Sequence, residues 1–296
     1  MPDSKLTTLV PELSKQWVHI KDPKRVASVI TDLIQAGDNK LQVIADFDFT
    51  LSCFTKNGEK CVSCHKALDD SPLLPDDYRN QAHALRNHYY PLEIDPHLTK
   101  EEKFPLMEEW WNKSHQLLID YKLSQHDIED IVRDSKLFLR EGCTDTFKVL
   151  HKHGIPLMIF SAGLGDIINA AVAQQSQMYD NMKIVGNMMA FDNKGVITGF
   201  QGKNIHSLNK NETALSHADG YFQTLAHRDR LILLGDNLGD LRMADGAEHI
   251  KTKLTIGFLN DKIEERLEMY KDAYDIVIVN DESIDVPNAI FRAIFK

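Results

Sequence analysis

Leu41-Gln42-Val43-Ile44-Ala45-Asp46-Phe47-Asp48-Phe49-Thr50 is the stretch on which the fold turns. Its first five residues form a short apolar run that predicts a buried strand, and the two acids follow at its carboxyl end. Side chains two apart on extended backbone point the same way, so Asp46 and Asp48 are expected at one spot. Open α/β sheets bind ligands there, outside the carboxyl ends of their strands. Two carboxylates so close repel each other unless a cation or a shared proton intervenes. The pair asks for a metal, a catalytic role, or both. A calcium loop would need further oxygen ligands and a turn glycine, whereas Phe49, Leu51, Cys53 and Phe54 follow instead.

Working outward, residues 24–36 read as an amphipathic helix ending near Gly37 and leading into this strand. Strand-like runs return at residues 155–160, 183–185, 231–234, 254–256 and 274–279, with helical stretches between several of them. That alternation predicts a parallel sheet. Between residues 55 and 145 the strand signal nearly vanishes, and helices are expected near 75–90, 99–122 and 124–140. Residues 188–201 read as a β-hairpin turning at Asp192-Asn193-Lys194-Gly195. The expected layout is an α/β core of residues 1–54 and 146–296, broken after its first strand by a helical cap of residues 55–145. Such a cap would cover the carboxylates as a lid.

Composition narrows the function classes. With 43% hydrophobic and 26% charged residues, the chain has the balance of an ordinary soluble globular protein. A formal charge of −10 with no long basic run argues against a nucleic-acid polymer as partner. No apolar run approaches a membrane span, and Met1-Pro2-Asp3-Ser4-Lys5 lacks the regions of a signal peptide. Four cysteines are too few for a disulfide framework at this length, so a cytoplasmic setting is expected. The chain is also expected to be a monomer. Cys61-Val62-Ser63-Cys64-His65 spells a haem-attachment or half-zinc pattern. Without an export context or a second Cys pair, it reads as a cap loop with incidental thiols.

Three further stretches fit the first. The run 155–160 leads into Ser161-Ala162-Gly163-Leu164-Gly165, with a helix expected next. A hydroxyl and free backbone N–H groups at a helix start suit a phosphate oxygen. The run 231–234 delivers Asp236 and Asp240 to the same sheet edge. Lys210 stands in a polar loop, where a lone lysine is usually solvated.

In this order, Asp46/Asp48, Ser161, Lys210 and Asp236/Asp240 resemble the four motifs of the haloacid dehalogenase superfamily of phosphatases. The resemblance implies a Rossmann-like core with a parallel sheet and a cap inserted after the first core strand. It narrows on Tyr89-Tyr90-Pro91-Leu92-Glu93-Ile94-Asp95-Pro96, Glu109-Trp110-Trp111-Asn112-Lys113-Ser114-His115, Leu139-Arg140-Glu141-Gly142, Gly220-Tyr221-Phe222, Met243-Ala244-Asp245-Gly246 and Gly257-Phe258-Leu259-Asn260-Asp261. These resemble the cytosolic 5′-nucleotidase III family, which hydrolyses nucleoside 5′-monophosphates. The likeness implies Asp46 as nucleophile and Asp48 as general acid/base. It implies Mg²⁺ held by Asp46, Asp236 and the Asp48 carbonyl, and phosphate held by Ser161, the Ala162 N–H and Lys210. Asp240 is expected behind them, orienting Lys210 or metal-bound water.

The family carries its base-recognition residues in the cap, and the matching positions are Glu93 and Ser114. One branch prefers pyrimidine nucleotides; another accepts 7-methylguanosine monophosphate and tends to have Trp after the first Trp, as Trp111 follows Trp110 here. A cationic methylated guanine suits a Trp face, so Trp111 is expected to stack and Trp110 to pack. Two alternatives stand beside this. One is a pyrimidine-specific nucleotidase with phosphotransferase activity, and the other a non-catalytic binder of methylated guanine nucleotides.

Overall fold

The computed structural model describes residues 4–211, 221–280 and 283–296, so Gly220 of the resemblance lies outside the described residues. In chain order its strands are β1 (Val18–His19), β2 (Leu41–Ala45), β3 (Thr55–Lys56), β4 (Glu59–Lys60), β5 (Leu157–Leu164), β6 (Met182–Asn187), β7 (Met189–Phe191), β8 (Ile197–Phe200), β9 (Arg230–Gly235), β10 (Thr252–Leu259) and β11 (Ile276–Val279). Seven of them form the central sheet in the order β1-β11-β10-β9-β2-β5-β6. All neighbours in it are parallel except β1, which pairs antiparallel with β11 at the edge.

Strands β2 and β11 are buried at every residue, and β9 at all but its first. Covered on both faces, they are mostly apolar rather than alternating, Gln42 of β2 and Arg230 of β9 aside, as suits a parallel sheet. The helix Pro23–Ala36 covers one face with Val26, Ile30 and Leu33. Asp22 caps it by accepting from the Arg25 N–H at 2.9 Å, Pro23 suits its first turn, and Gly37 at φ 74° ends it. From β2 the chain proceeds sideways through β5 to β6, then returns to β9 on the other side of β2 and continues outward. The carboxyl ends of β2, β5 and β9 therefore meet where the strand order reverses, the place such sheets offer to ligands.

The inserted segment is built on the helices Asp76–Ile94 and Lys100–Asp120, which pack together. Thr99 starts the second with a reciprocal Thr99–Glu102 cap. The chain enters and leaves the insert side by side: the Cys53 N–H donates to the Phe138 carbonyl at 2.7 Å, and the Arg140 N–H to the Leu51 carbonyl at 2.9 Å. This corrects the helix expected over 124–140. It spans Gln125–Asp134 and stops where the Ser135 hydroxyl turns back to the Val132 carbonyl. The residues beyond are needed as extended partners of the outgoing chain. The β3–β4 ribbon, turning at Asn57-Gly58 with φ 54° and 80°, is a second departure from an all-helical insert. The hairpin within 188–201 forms as β7 and β8. Among the described residues no helix is long and apolar enough to cross a membrane.

His115, on the helix Lys100–Asp120, is 5% exposed and stacks on Phe200 of β8 with ring centroids 3.6 Å apart. Burial pushes its imidazole down to about 3, so the folded protein holds it neutral. Below its ordinary value of 6.5 the unfolded chain takes up a proton that the folded one refuses, so stability is complete above that pH and is lost as the pH falls. His115→Phe is expected to remove about 2 kcal/mol of the stability difference between pH 7 and pH 5. Urea denaturation at the two pH values measures this; an unchanged difference would show that His115 is not the group that titrates.

Candidate active site

Asp46 follows β2 directly, and its N–H donates to the Leu234 carbonyl of β9 at 3.0 Å, which ties it to two strand ends at once. Its carboxylate is buried, and Oδ1 accepts from the Lys210 ammonium. Lys210 is itself buried and donates to Asp240 Oδ1 at 2.7 Å. Asp240 Oδ2 accepts from the N–H groups of Asp236 (3.0 Å) and Asn237 (2.9 Å). Asp46, Asp236 and Asp240 each offer an oxygen within 4.8 Å of the others. Both oxygens of Asp240 are already engaged, whereas Asp46 Oδ2 is buried with no hydrogen-bond partner.

The electrostatics match that geometry. Burial pushes the Asp46 carboxyl up to about 7, with Lys210 pulling against it and Asp240 and Asp48 adding to it. Asp236 is driven well above the ordinary carboxylate range by burial, then by Asp46 and Asp240. Burial alone would lower Lys210, but the two carboxylates together raise it, so it stays charged. A buried acceptor with nothing to accept, set among acids that repel each other, fits a hard dication with oxygen ligands.

Asp48 stands outside that group. The chain turns over Phe47–Leu51, closed by a Ser52 N–H bond to the Phe47 carbonyl at 2.9 Å, so the two acids are not neighbours on one extended segment as expected. Asp48 Oδ1 accepts from the Cys64 N–H at 2.8 Å, and burial raises its carboxyl. Phe49 has φ 64°, a left-handed conformation that costs a non-glycine residue about 1 kcal/mol or more. The cost is met by contacts. The Phe49 N–H donates to Ser52 Oγ at 2.8 Å, and its carbonyl accepts from Arg140 Nη2 (2.7 Å) and Asn260 Nδ2 (3.0 Å). Arg140 Nε also donates to the Thr50 carbonyl at 2.7 Å, and its guanidinium lies over the Phe258 ring. Arg140, Asn260 and the Cys64 N–H thus hold the turn that carries Asp48, a role the sequence motifs did not assign them.

Ser161 is placed differently from the helix start expected for it. Strand β5 continues to Leu164, which pairs with Asn187, and the helix Gly165–Gln175 begins only after it. Asn187 Nδ2 donates to the Ala162 carbonyl at 2.8 Å, and together these hold the segment extended. Ser161 Oγ accepts from the Gly163 N–H at 3.0 Å. A Cβ on Gly163 would lie 3.1 Å from both Ser161 Oγ and Asp48 Oδ2, so the bare backbone lets hydroxyl and carboxylate approach. Gly235 is needed for the same reason, since a Cβ there would come within 2.5 Å of Asp240 Cβ.

Above these residues lies a cavity of about 470 Å³ lined by Trp110, Trp111, Ser114, Phe49, His65 and Asp236, among others. Trp110 stacks on Tyr89 with centroids 5.9 Å apart and planes 14° apart. Trp111 stands edge-on to His65, and its indole N–H points to the Ala162 carbonyl at 3.4 Å. Glu93, on the helix Asp76–Ile94, is directed to Ser207, whose hydroxyl donates to Oε1 at 2.6 Å.

The family model described as pyrimidine 5′-nucleotidase (UMPH-1) matches residues 49–295. A 7-methylguanosine phosphate-specific 5′-nucleotidase of Gallus gallus is 48% identical over 97% of this chain and 99% of its own length. The crystal structure of a cytosolic 5′-nucleotidase IIIB bound to cytidine superposes with a TM-score of 0.90 at 33% identity, covering 98% of this chain and 97% of that one. A probable phosphoserine phosphatase of Vibrio cholerae, at TM-score 0.52 and 14% identity over 87% of this chain and 66% of that one, shares the fold.

Proposed function

The chain belongs to the pyrimidine 5′-nucleotidase (UMPH-1) family, and on that premise we propose that it hydrolyses nucleoside 5′-monophosphates to nucleoside and phosphate with magnesium. Its preferred substrate on this reading is 7-methylguanosine monophosphate, with cytidine monophosphate also accepted. The observation that carries the chemistry is the buried, unpartnered Asp46 Oδ2 beside Lys210 and Asp236. The preference for a methylated guanine is supported by the Gallus gallus relative and by Trp111 on the cavity wall.

In the proposed reaction, Asp46 attacks phosphorus as the ester P–O bond breaks, giving an aspartyl-phosphate. Asp48 gives its proton to the leaving nucleoside oxygen, and later takes one from the water that attacks the aspartyl-phosphate. Its raised carboxyl suits both tasks, and the Cys64 N–H holds it in place. The Ser161 hydroxyl, the Ala162 N–H and Lys210 hold the phosphate oxygens, where charge must be stabilised. Asp240 keeps Lys210 charged and aimed. Asp46, Asp236 and the Asp48 carbonyl would hold magnesium, which neutralises charge on phosphate and nucleophile when bound. Residues 55–145 act as the cap, where Trp111, Ser114 and Glu93 receive the base. The proposal includes a cytoplasmic setting, for which the low cysteine count is the support, and a monomer.

One observation favours the pyrimidine-specific alternative: the solved relative holds cytidine. Hydrolysis of a panel of nucleoside monophosphates, with and without magnesium, separates the two. Trp111→Tyr is expected to lower the preference for 7-methylguanosine over cytidine monophosphate by about threefold to tenfold, since the smaller ring holds a cation less well. Equal kcat/KM ratios in the two proteins would remove Trp111 as the stacking residue.

A further inference from the structure

The segment 204–210 ends in the lysine that bonds Asp46 and Asp240, and its first half is gripped by the cap. Asn204 Nδ2 donates to Asn112 Oδ1 at 2.8 Å. The buried His206 imidazole lies 3.1 Å from Glu108. Ser207 Oγ donates to Glu93 Oε1 at 2.6 Å. The last contact joins the core to the residue that, under the proposed function, reads the base.

We propose that Ser207 is a positioning residue for substrate choice: its hydroxyl fixes the Glu93 carboxylate so that the site favours a base edge with two adjacent N–H donors. This rests on Glu93 as base reader. A carboxylate has about four lone-pair positions, and Ser207 occupies one of them on Oε1. The rest can take two parallel donors, such as the ring N–H and exocyclic amine of guanine. Cytosine presents an amine beside a ring nitrogen that itself needs a proton, so a carboxylate serves only half of that edge, whereas a neutral carboxylic acid serves both. Burial pushes Glu93 toward the neutral form, and the Ser207 hydrogen bond opposes it. Deleting the hydroxyl therefore frees the side chain and moves it toward the form that suits cytosine. A guanine made cationic by methylation loses most, because its donors gain most from an ionised partner.

The test is steady-state kinetics of the wild type, Ser207→Ala and Ser207→Thr on 7-methylguanosine and cytidine monophosphates at saturating magnesium. In Ser207→Ala the kcat/KM ratio of the first substrate to the second is expected to fall about tenfold, the size of one hydrogen bond to a charged group. The fall should come from a higher KM for 7-methylguanosine monophosphate, with its kcat within about threefold of wild type, as for an interaction lost equally in ground and transition states. Ser207→Thr keeps the hydroxyl and should restore the ratio to within about twofold, well below the hydrogen bond's full worth. An unchanged ratio in Ser207→Ala, an equal loss of kcat on both substrates, or a Thr variant as impaired as the Ala variant would overturn the assignment. Wild-type protein inactive on 7-methylguanosine monophosphate would instead overturn the substrate reading beneath it, and this inference with it.

Discussion

Asp46→Asn is expected to lower turnover by at least about 10⁴-fold, the scale on which removing a nucleophile acts, and to leave no trappable phosphoryl-enzyme. The substitution changes almost nothing but chemistry. Asn keeps the shape of Asp and an oxygen that can accept from Lys210, and it removes one negative charge from a group where Asp46, Asp236 and Asp240 crowd within 4.8 Å. Folding should therefore be unharmed, and the variant should melt no lower than the wild type. What disappears is a carboxylate oxygen able to bond phosphorus. Brief exposure to radiolabelled substrate, followed by acid quenching, should label wild-type protein and leave the variant unlabelled. Residual turnover with label retained would move the nucleophile elsewhere, with Asp48 the nearest alternative on the same turn.

How far this site was legible in the sequence differs residue by residue. Strands β2, β5, β9, β10 and β11 are visible in the sequence because burial on both faces gives each a mostly apolar core segment rather than an alternating one. Asp46 and Asp236 are the first residues past two such runs, so their convergence follows from the sheet itself. β1, two residues long and lying at the edge, has too little pattern to be seen. Lys210 has no local signal at all; a polar loop around a lysine looks solvated, and only the order of the motifs marked it. Arg140 and Asn260 stand inside the quoted motifs, but their role lies further beyond reach. They act on backbone carbonyls 91 and 211 residues away, and a hydrogen bond to a carbonyl leaves no trace in the identity of its partner. The same holds for Ser207, which earns its importance only by touching Glu93.

Chelation of divalent cations is expected to abolish activity, with magnesium restoring it, and the accompanying change in stability should depend on pH in a direction set by Asp46. Burial raises this carboxyl from an ordinary 3.8 to about 7 in the folded protein. Between those values the metal-free folded state keeps a proton that the unfolded chain gives up, so its stability falls as the pH rises through that window. The loss is bounded by about 4 kcal/mol for a shift of this size. A dication that binds only the folded, ionised site removes that penalty and adds its own binding free energy. Magnesium should therefore raise the melting temperature more at pH 7.5 than at pH 5. His115 works in the opposite direction over part of the same range, since its burial makes the protein more stable as the pH rises. That contribution is the same with and without the ion, so the difference between chelated and magnesium-loaded melting curves isolates the carboxylates. An equal magnesium shift at both pH values would mean that the ion is not held by Asp46 and its neighbours. Activity that survives chelation would remove the metal from the mechanism altogether.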